Sequence, residues 1–522
     1  MKKNIYSAIC LVVLLAVLQT SCKKGFEDLN TNPNTTPNAL PQQLLAPALV
    51  NTLTVNMLRN RNFNNELMQV TVAETDGEGA VFRYDIKNTW ADYTWNGWYA
   101  QLTNFKDIYK IASQPLNLNK GYQGISLICQ SWIYSMLTDT YGDIPYFHSN
   151  EARDSLIYTP SFDKQKDIYL DIFNQLETAN TLLNGAANVV GSSDPVFNGN
   201  CAEWRKLGNS LYLRLLLRLS GKAEVSAQCI AQIKKMIDTS PSSYPIMTSN
   251  ADCAILRWTG SGYLTSPFVN NVREQDWRSP AIGLFFISHL VTWSDPRINI
   301  STFATSGFNR WGIAQGPSGF DGVPSGYSPG NAPTKESYFY SNTSAVSLMN
   351  DPLTGMIMNY SEVQFILAEA SVKGFITSGS AQTYWETGVL AGLTLWLPTW
   401  PNPVAAGVPS PAPTTASPDF RNYLTGAGIS WDNTESVDAK MERIHLQKYY
   451  ALFLEDYEQW FEYRRTGHPA LPMGPGLLNN GVMPARLNYP LYVQSANPSN
   501  YKAAVAAQGP DVISTQVWWQ RP

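Results

Sequence analysis

Carboxylates are the first residues of this chain that could do chemistry. Asp139 and Asp143 flank a Tyr-Gly turn, and Glu362 and Glu369 sit in a helical phrase further on. Two carboxyls in unlike surroundings could act as acid and base on a glycosidic bond. All four stand in scaffold-like phrases, however, and aspartates beside a turn favour helix-end and backbone hydrogen bonds. A nucleophilic route is thinner still. The chain holds only four histidines, His148, His289, His445 and His468. Cys129, Cys201, Cys229 and Cys253 lie far apart, with no CxxC pair and no histidine at ligand spacing, so a zinc site is not expected. They read as buried free thiols; the alternative is a Cys229–Cys253 bridge in an oxidising compartment. No metal, cofactor or catalytic residue is expected.

Recognition without chemistry has better material. Aromatic faces supply apolar area of fixed geometry, while Asn and Arg supply directed hydrogen bonds. Two stretches outside regular helix combine them, residues 270–278 and 308–327. The candidate ligand-binding residues are Trp277 and Trp311 as platforms, with Asn271, Arg273 and Arg278 at the rim and Tyr327 beside them. The competing reading is that these side chains only pin long loops to a scaffold. The aromatics of 90–99 are the next place to look.

The elements that must position these residues are mostly helices. Apolar spacing predicts helices over 44–58, 88–112, 121–140, 163–183, 203–219, 225–237, 359–375 and 381–397. Ala368, Gly388 and Ala391 would let the last two approach closely. Residues 239–354 differ: Gly, Pro, Ser and Asn are frequent, and helical period survives only over 280–292. Such loops over a scaffold are where binding residues usually sit. Near the C-terminus, Leu446, Tyr450, Phe453, Tyr457 and Trp460 lay one stripe along a single helix of about six turns, within 441–471. Lys448, Glu455, Glu458 and Glu462 fall off the stripe and are expected to face solvent. Gly467 and Pro469 stop the helix, with Arg464 and Arg465 in its last turn.

Composition bounds the rest. The 522 residues are 44% apolar, 12% aromatic and only 15% charged, with a net charge of −4. That is enough for a large core, and no basic excess exists to hold a nucleic acid. After residue 22, no run of eighteen apolar residues offers a membrane span. Before it, Lys2 and Lys3 precede an apolar stretch of about eleven residues, 8–18, which suits a signal peptide. Thr20, Ser21 and Cys22 follow. Residues 23–37 are polar and turn-rich, a tether.

Several phrases, in order, resemble SusD/RagB-type outer-membrane nutrient-binding lipoproteins. They include F-E-D-L-N-T-N-P-N from Phe26, L-T-D-T-Y-G-D-I-P-Y from Leu137, and Trp204 through Asn209, Ser210, Arg214 and Arg218. Asp295-Pro296-Arg297, the 359–375 helix, and Trp460 through Arg464, Arg465, Gly467 and Pro469 continue the series. Two departures are Gln19, where a lipoprotein signal prefers Leu, and Gln494, where the family's closing segment usually has Glu. The resemblance runs from Cys22 to Trp519. It implies a mainly α fold of degenerate tetratricopeptide-like helix pairs under an irregular, loop-rich lobe. The expected organisation is a signal peptide 1–21, a tether 22–37 and one domain 38–522, with scaffold 38–238 and 355–522 and ligand lobe 239–354. It further implies a cell-surface protein, lipid-anchored through Cys22 in the outer membrane, partnered with a SusC-like TonB-dependent transporter. Its ligand would be a glycan, or alternatively a peptide. A structural partner with no ligand of its own, and a helical glycoside hydrolase, are the remaining alternatives.

Overall fold

The computed structural model describes residues 39–75, 77–299, 307–402 and 411–521; the leader, Cys22 and the tether lie outside them. The first long helices are α1 (Pro41–Arg59), α2 (Trp90–Ala112), α3 (Lys120–Tyr141), α4 (Gln165–Leu183), α5 (Cys201–Leu219) and α6 (Ser226–Lys234), each packed on the next. The boundaries follow local chemistry. Asn119 accepts a hydrogen bond from the Tyr122 N–H to start α3, and Asn200 caps α5 in the same way. Gly142 ends α3 at φ +85°, where a Cβ would lie 1.8 Å from Gln508 Oε1. No other residue fits that turn.

A second group closes the scaffold: α7 (Leu284–Thr292), α8 (Tyr360–Val372), α9 (Ala381–Trp396), α10 (Pro418–Gly426), α11 (Val437–Ala451), α12 (Glu458–Thr466) and α13 (Pro498–Gln508). Gly388 of α9 lies against the Phe365 ring of α8, which a Cβ would approach to 2.7 Å. The Ser361 hydroxyl donates across the same contact to the Gly388 carbonyl. The small residues therefore do bring these backbones together. The chain is mostly helical, as the apolar periodicity requires.

Segment 239–354 is loop-rich but pinned. Among the described residues, the short strands β1 (Thr71–Val72), β2 (Ala254–Ile255), β3 (Ala281–Ile282), β4 (Ile313–Ala314), β5 (Tyr338–Phe339) and β6 (Met356–Met358) pair antiparallel as β1–β3, β2–β6 and β4–β5. Trp258, Phe286 and Trp311 of this segment belong to the same apolar core as Trp98, Trp204 and Trp460 of the helices. Cys129, Cys201, Cys229 and Cys253 are buried free thiols, so Cys229 and Cys253 are not bridged.

The C-terminal reading needs two corrections. The single helix expected within 441–471 is two, α11 and α12, broken over 452–457, with Leu454 at φ +70° and Asp456 at φ +39°. The break is held from outside. Asn56 Nδ2 donates to Asp456 Oδ1 (2.5 Å), Trp132 Nε1 to Asp456 Oδ2 (2.8 Å) and Asn60 Nδ2 to the Asp456 carbonyl (2.8 Å). As expected, Gly467 ends α12 in the left-handed conformation.

The second correction concerns the charges that were to face solvent. Lys448, Glu455, Glu458 and Glu462 are all buried, because Arg214 and Arg218 of α5 pair with the glutamates and Lys448 pairs with Glu462. Arg214 Nε and Nη2 donate to Glu362 (2.7 and 2.5 Å), and Nη2 also reaches Glu455. Arg218 pairs with Asp139 and Glu458. Lys448 donates to Glu462 (2.8 Å), and Arg465 bridges Glu369 and Glu462. Asp139 is thus an ion-pair partner, also bonded by Tyr169 and Trp519, and not a turn-former. Asp143 does accept from the first N–H of α4.

The protons in this network follow from its composition. Seven carboxyls (Asp139, Glu362, Glu369, Glu455, Asp456, Glu458, Glu462) face five cations (Arg214, Arg218, Lys373, Lys448, Arg465). Burial, then the neighbouring Glu362 charge, pushes Glu455 well above the usual carboxylate range. Burial also pushes Asp456 up to about 7. Burial thus favours the protonated form of both, which lowers the excess negative charge of the buried cluster.

Candidate functional site

A concave feature that loops build lies where α7 leaves β3. Pairing of β1 with β3 brings Gly283 onto the chain at Gln69; a Cβ there would stand 2.0 Å from the Gln69 carbonyl. Two Gly-rich loops close the opposite wall. The Gly476 N–H donates to the Gly326 carbonyl (2.7 Å), and Gly474 touches the same carbonyl. Gln69 Nε2 donates to the Pro472 carbonyl (2.8 Å), tying the two walls together.

The result is a pocket of about 630 Å³, within the size range usual for ligand sites. Its apolar lining comes from Leu284, Phe285, Pro324, Tyr327 and Met473, and its polar groups from Gln69, Ser288, His289, Ser325 and Asn331. No Asp, Glu, Lys or Arg lines it. Burial lowers His289 below the usual histidine range, so the ring is neutral at pH 7. Its Nδ1 lies 2.8 Å from the Phe285 carbonyl and must donate to it, which makes Nε2 an acceptor. The pocket therefore offers amide, hydroxyl and imidazole hydrogen bonds beside aromatic and proline surface. It suits a neutral polyhydroxyl ligand and carries no acid–base pair.

The residues expected to bind from sequence fall in three places. Tyr327 lines the pocket, its ring against Phe82 and its hydroxyl bonded to the Ala73 carbonyl (3.1 Å). Trp277 and Trp311 cannot be platforms, a correction with a simple cause: neither has a face to offer. Trp277 is 5% exposed between Phe268 and Phe339, and its indole N–H donates to the Tyr340 carbonyl. Trp311 is 0% exposed among Phe286, Trp396 and Phe453, with the Arg297 guanidinium over its ring. Asn271, Arg273 and Arg278 are exposed, but the arginines are engaged by Asp276 and Glu274, and none of the three lines the pocket. Sequence reasoning missed Gln69, Phe285, His289 and Asn331. The run Pro472-Met473-Gly474-Pro475, directly after the C-terminal helix, was the available signal.

Of the carboxylates considered for catalysis, Asp139, Glu362 and Glu369 are 0% exposed, and Asp143, 8% exposed, is held by the Gln165 N–H. One buried trio, Glu369, His445 and Glu462, brings ligand atoms within 4.8 Å of one another. Arg465, Lys373 and Lys448 already hold those carboxylates, so a metal ion would enter a shell of fixed cations. Among the described residues, no helix is long and apolar enough to cross a membrane.

Comparison with known proteins places this geometry. A SusD-like family model, described as starch-binding and associating with the outer membrane, matches residues 33–490. Among curated protein sequences none matches. A SusD homolog from Bacteroides fragilis superposes with a TM-score of 0.74 at 25% identity, covering 93% of this chain and 100% of its own. A SusD homolog from Bacteroides uniformis gives 0.73 at 23%, covering 93% and 100%. A chitin-binding SusD homolog from Flavobacterium johnsoniae gives 0.73 at 21%, covering 92% and 98%.

Proposed function

The chain belongs to the SusD-like family, and from that premise we propose that it captures a neutral glycan at the cell surface and delivers it to a SusC-like TonB-dependent transporter. Attachment is through a lipid on Cys22, after removal of 1–21. The observation that carries the reading is the uncharged pocket beneath α7. A sugar ring has apolar C–H faces and a belt of hydroxyls. Leu284, Pro324 and Met473, the exposed apolar groups of the lining, answer the faces, and Gln69, His289, Ser325 and Asn331 answer the hydroxyls. An ionic peptide would leave charges unpaired in such a lining. The family's starch-binding description, and the chitin-binding relative, support the same class of ligand.

The test is an array of neutral glycans, acidic glycans and short peptides, read with the mature chain. Neutral oligosaccharides are expected to bind and to be displaced by one another. Preferential retention of charged glycans or peptides would overturn the reading.

A further inference from the structure

A second cleft lies on the helical side, on elements the pocket does not use. It is walled by Trp95 and Tyr99 of α2, by Pro145 and Asn150, by Tyr158 and Phe162, and by Tyr492 and Asn497. It shares no lining residue with the pocket beneath α7, and again no charged side chain lines it.

The cleft is held open by hydrogen bonds that serve no helix. Tyr99 donates its hydroxyl to the Pro145 carbonyl (2.6 Å), and Asn150 Nδ2 donates to the Tyr99 carbonyl (2.7 Å). Asn497 and Asn500 donate to the Pro160 carbonyl (2.7 and 3.1 Å), fixing the loop that carries Tyr158. On that fixed loop Tyr158 is 73% exposed, and its hydroxyl has no partner among the described residues. Tyr492, 46% exposed, is oriented by a hydroxyl bond to Asn96 Oδ1 (2.6 Å). Aromatic rings held in water by a rigid frame mark a recognition surface.

Size and charge say what fits. The volume is about 240 Å³, below the roughly 300 Å³ at which pockets for drug-sized ligands begin. That is room for one sugar ring and not for a folded chain of them. The neutral lining excludes a phosphate or carboxylate ligand, since nothing there would balance the charge. Aromatic faces with carboxamides at the edge match a pyranose.

We propose that this cleft is a second glycan subsite that takes a single neutral sugar residue, with Tyr158 and Tyr492 as its ring platforms. It rests on the glycan reading above and adds an independent point of attachment, so that a long or branched glycan is held at two places. Two weak sites joined by one ligand bind more tightly than either alone.

Calorimetric titration tests it, with maltose and diacetylchitobiose as short probes and maltohexaose and chitohexaose as long ones. Wild type is expected to take up two equivalents of a short probe. The Tyr158→Ala/Tyr492→Ala variant should take up one, and lose about tenfold affinity for a long probe. Tyr158→Phe should behave as wild type, because the ring and not the hydroxyl is the platform. Both tyrosines are solvent-exposed and, among the described residues, the double variant loses only the Tyr492–Asn96 bond, so its circular dichroism is expected to match wild type. Two equivalents persisting in the double variant, or one equivalent in wild type, would overturn the subsite while leaving the glycan reading intact. Failure of wild type to bind any neutral probe would remove both.

Discussion

Removing Arg214 is the most demanding test of the buried charge network. Arg214→Met keeps an unbranched side chain of similar length and deletes the cation between Glu362, Glu455 and Glu458. Burial favours the protonated form of Glu455 and Glu458 retains Arg218, so Glu362 is the orphan. In the intact protein burial pushes Glu362 up, yet Arg214 beside it holds it below the usual carboxylate range. Without the arginine, the cheapest escape is proton uptake. That costs about 1.4 kcal/mol for each pH unit above a reference pKa of about 4.3, roughly 1 kcal/mol at pH 5 and 4 kcal/mol at pH 7. The upper value falls within the ~3–5 kcal/mol usual for breaking a buried pair. The sign is set by the variant's raised Glu362, whose folded form holds a proton the unfolded chain has lost. Its stability therefore declines, relative to wild type, as pH climbs from about 4.3. Urea unfolding of the mature chain at pH 5, 6 and 7, followed by circular dichroism, reads the difference. Adding Glu362→Gln removes the orphaned charge and is expected to recover most of the loss at pH 7. A loss equal at pH 5 and pH 7, or a double variant no better than the single one, would refute the reasoning.

Other consequences follow from single contacts. Asp456, which burial pushes up to about 7, costs stability as pH rises from about 4 to 7; Asp456→Asn should flatten the stability curve by up to ~4 kcal/mol across that window, measured as a difference from wild type. Gly142→Ala places a Cβ on Gln508 at a positive φ and should destabilise by about 1–3 kcal/mol, with urea unfolding as the readout. Cys22→Ala should leave the protein unprocessed or soluble, since stable attachment needs more than one acyl chain; finding it still processed and in the outer-membrane fraction would count against the anchor. Wild type solubilised in mild detergent should co-purify with a barrel-sized partner.

The helices were legible because each carries an apolar stripe and a local stop. Gly142, in the Tyr-Gly turn, closes α3, while Asn119 and Asn200 cap α3 and α5 a few residues before the starts that the apolar spacing gives. The break between α11 and α12 was not legible, for the stretch holds no Gly or Pro, and its cause is Asn56, Asn60 and Trp132, hundreds of residues away. The same distance hid the buried charges: Glu455 reads as a surface residue until Arg214, 241 positions earlier, is placed beside it. For the site, the loop-rich segment was legible but the choice within it was not. Trp277 and Trp311 looked like platforms by residue type, while their burial depends on Phe268, Phe339 and Phe453, contacts that no spacing reveals. Tyr327 reached the pocket; Gln69 and His289 are ordinary residues made significant only by the meeting of β1, β3 and the 472–475 loop.

The central claim is that the uncharged pocket beneath α7 holds a neutral sugar. A crystal structure of the mature chain with the tightest-binding neutral oligosaccharide tests it most directly. A sugar ring is expected against Leu284, Pro324 and Met473, with its hydroxyls bonded to Gln69, His289 or Asn331. A bound oligosaccharide that leaves this pocket empty would contradict it.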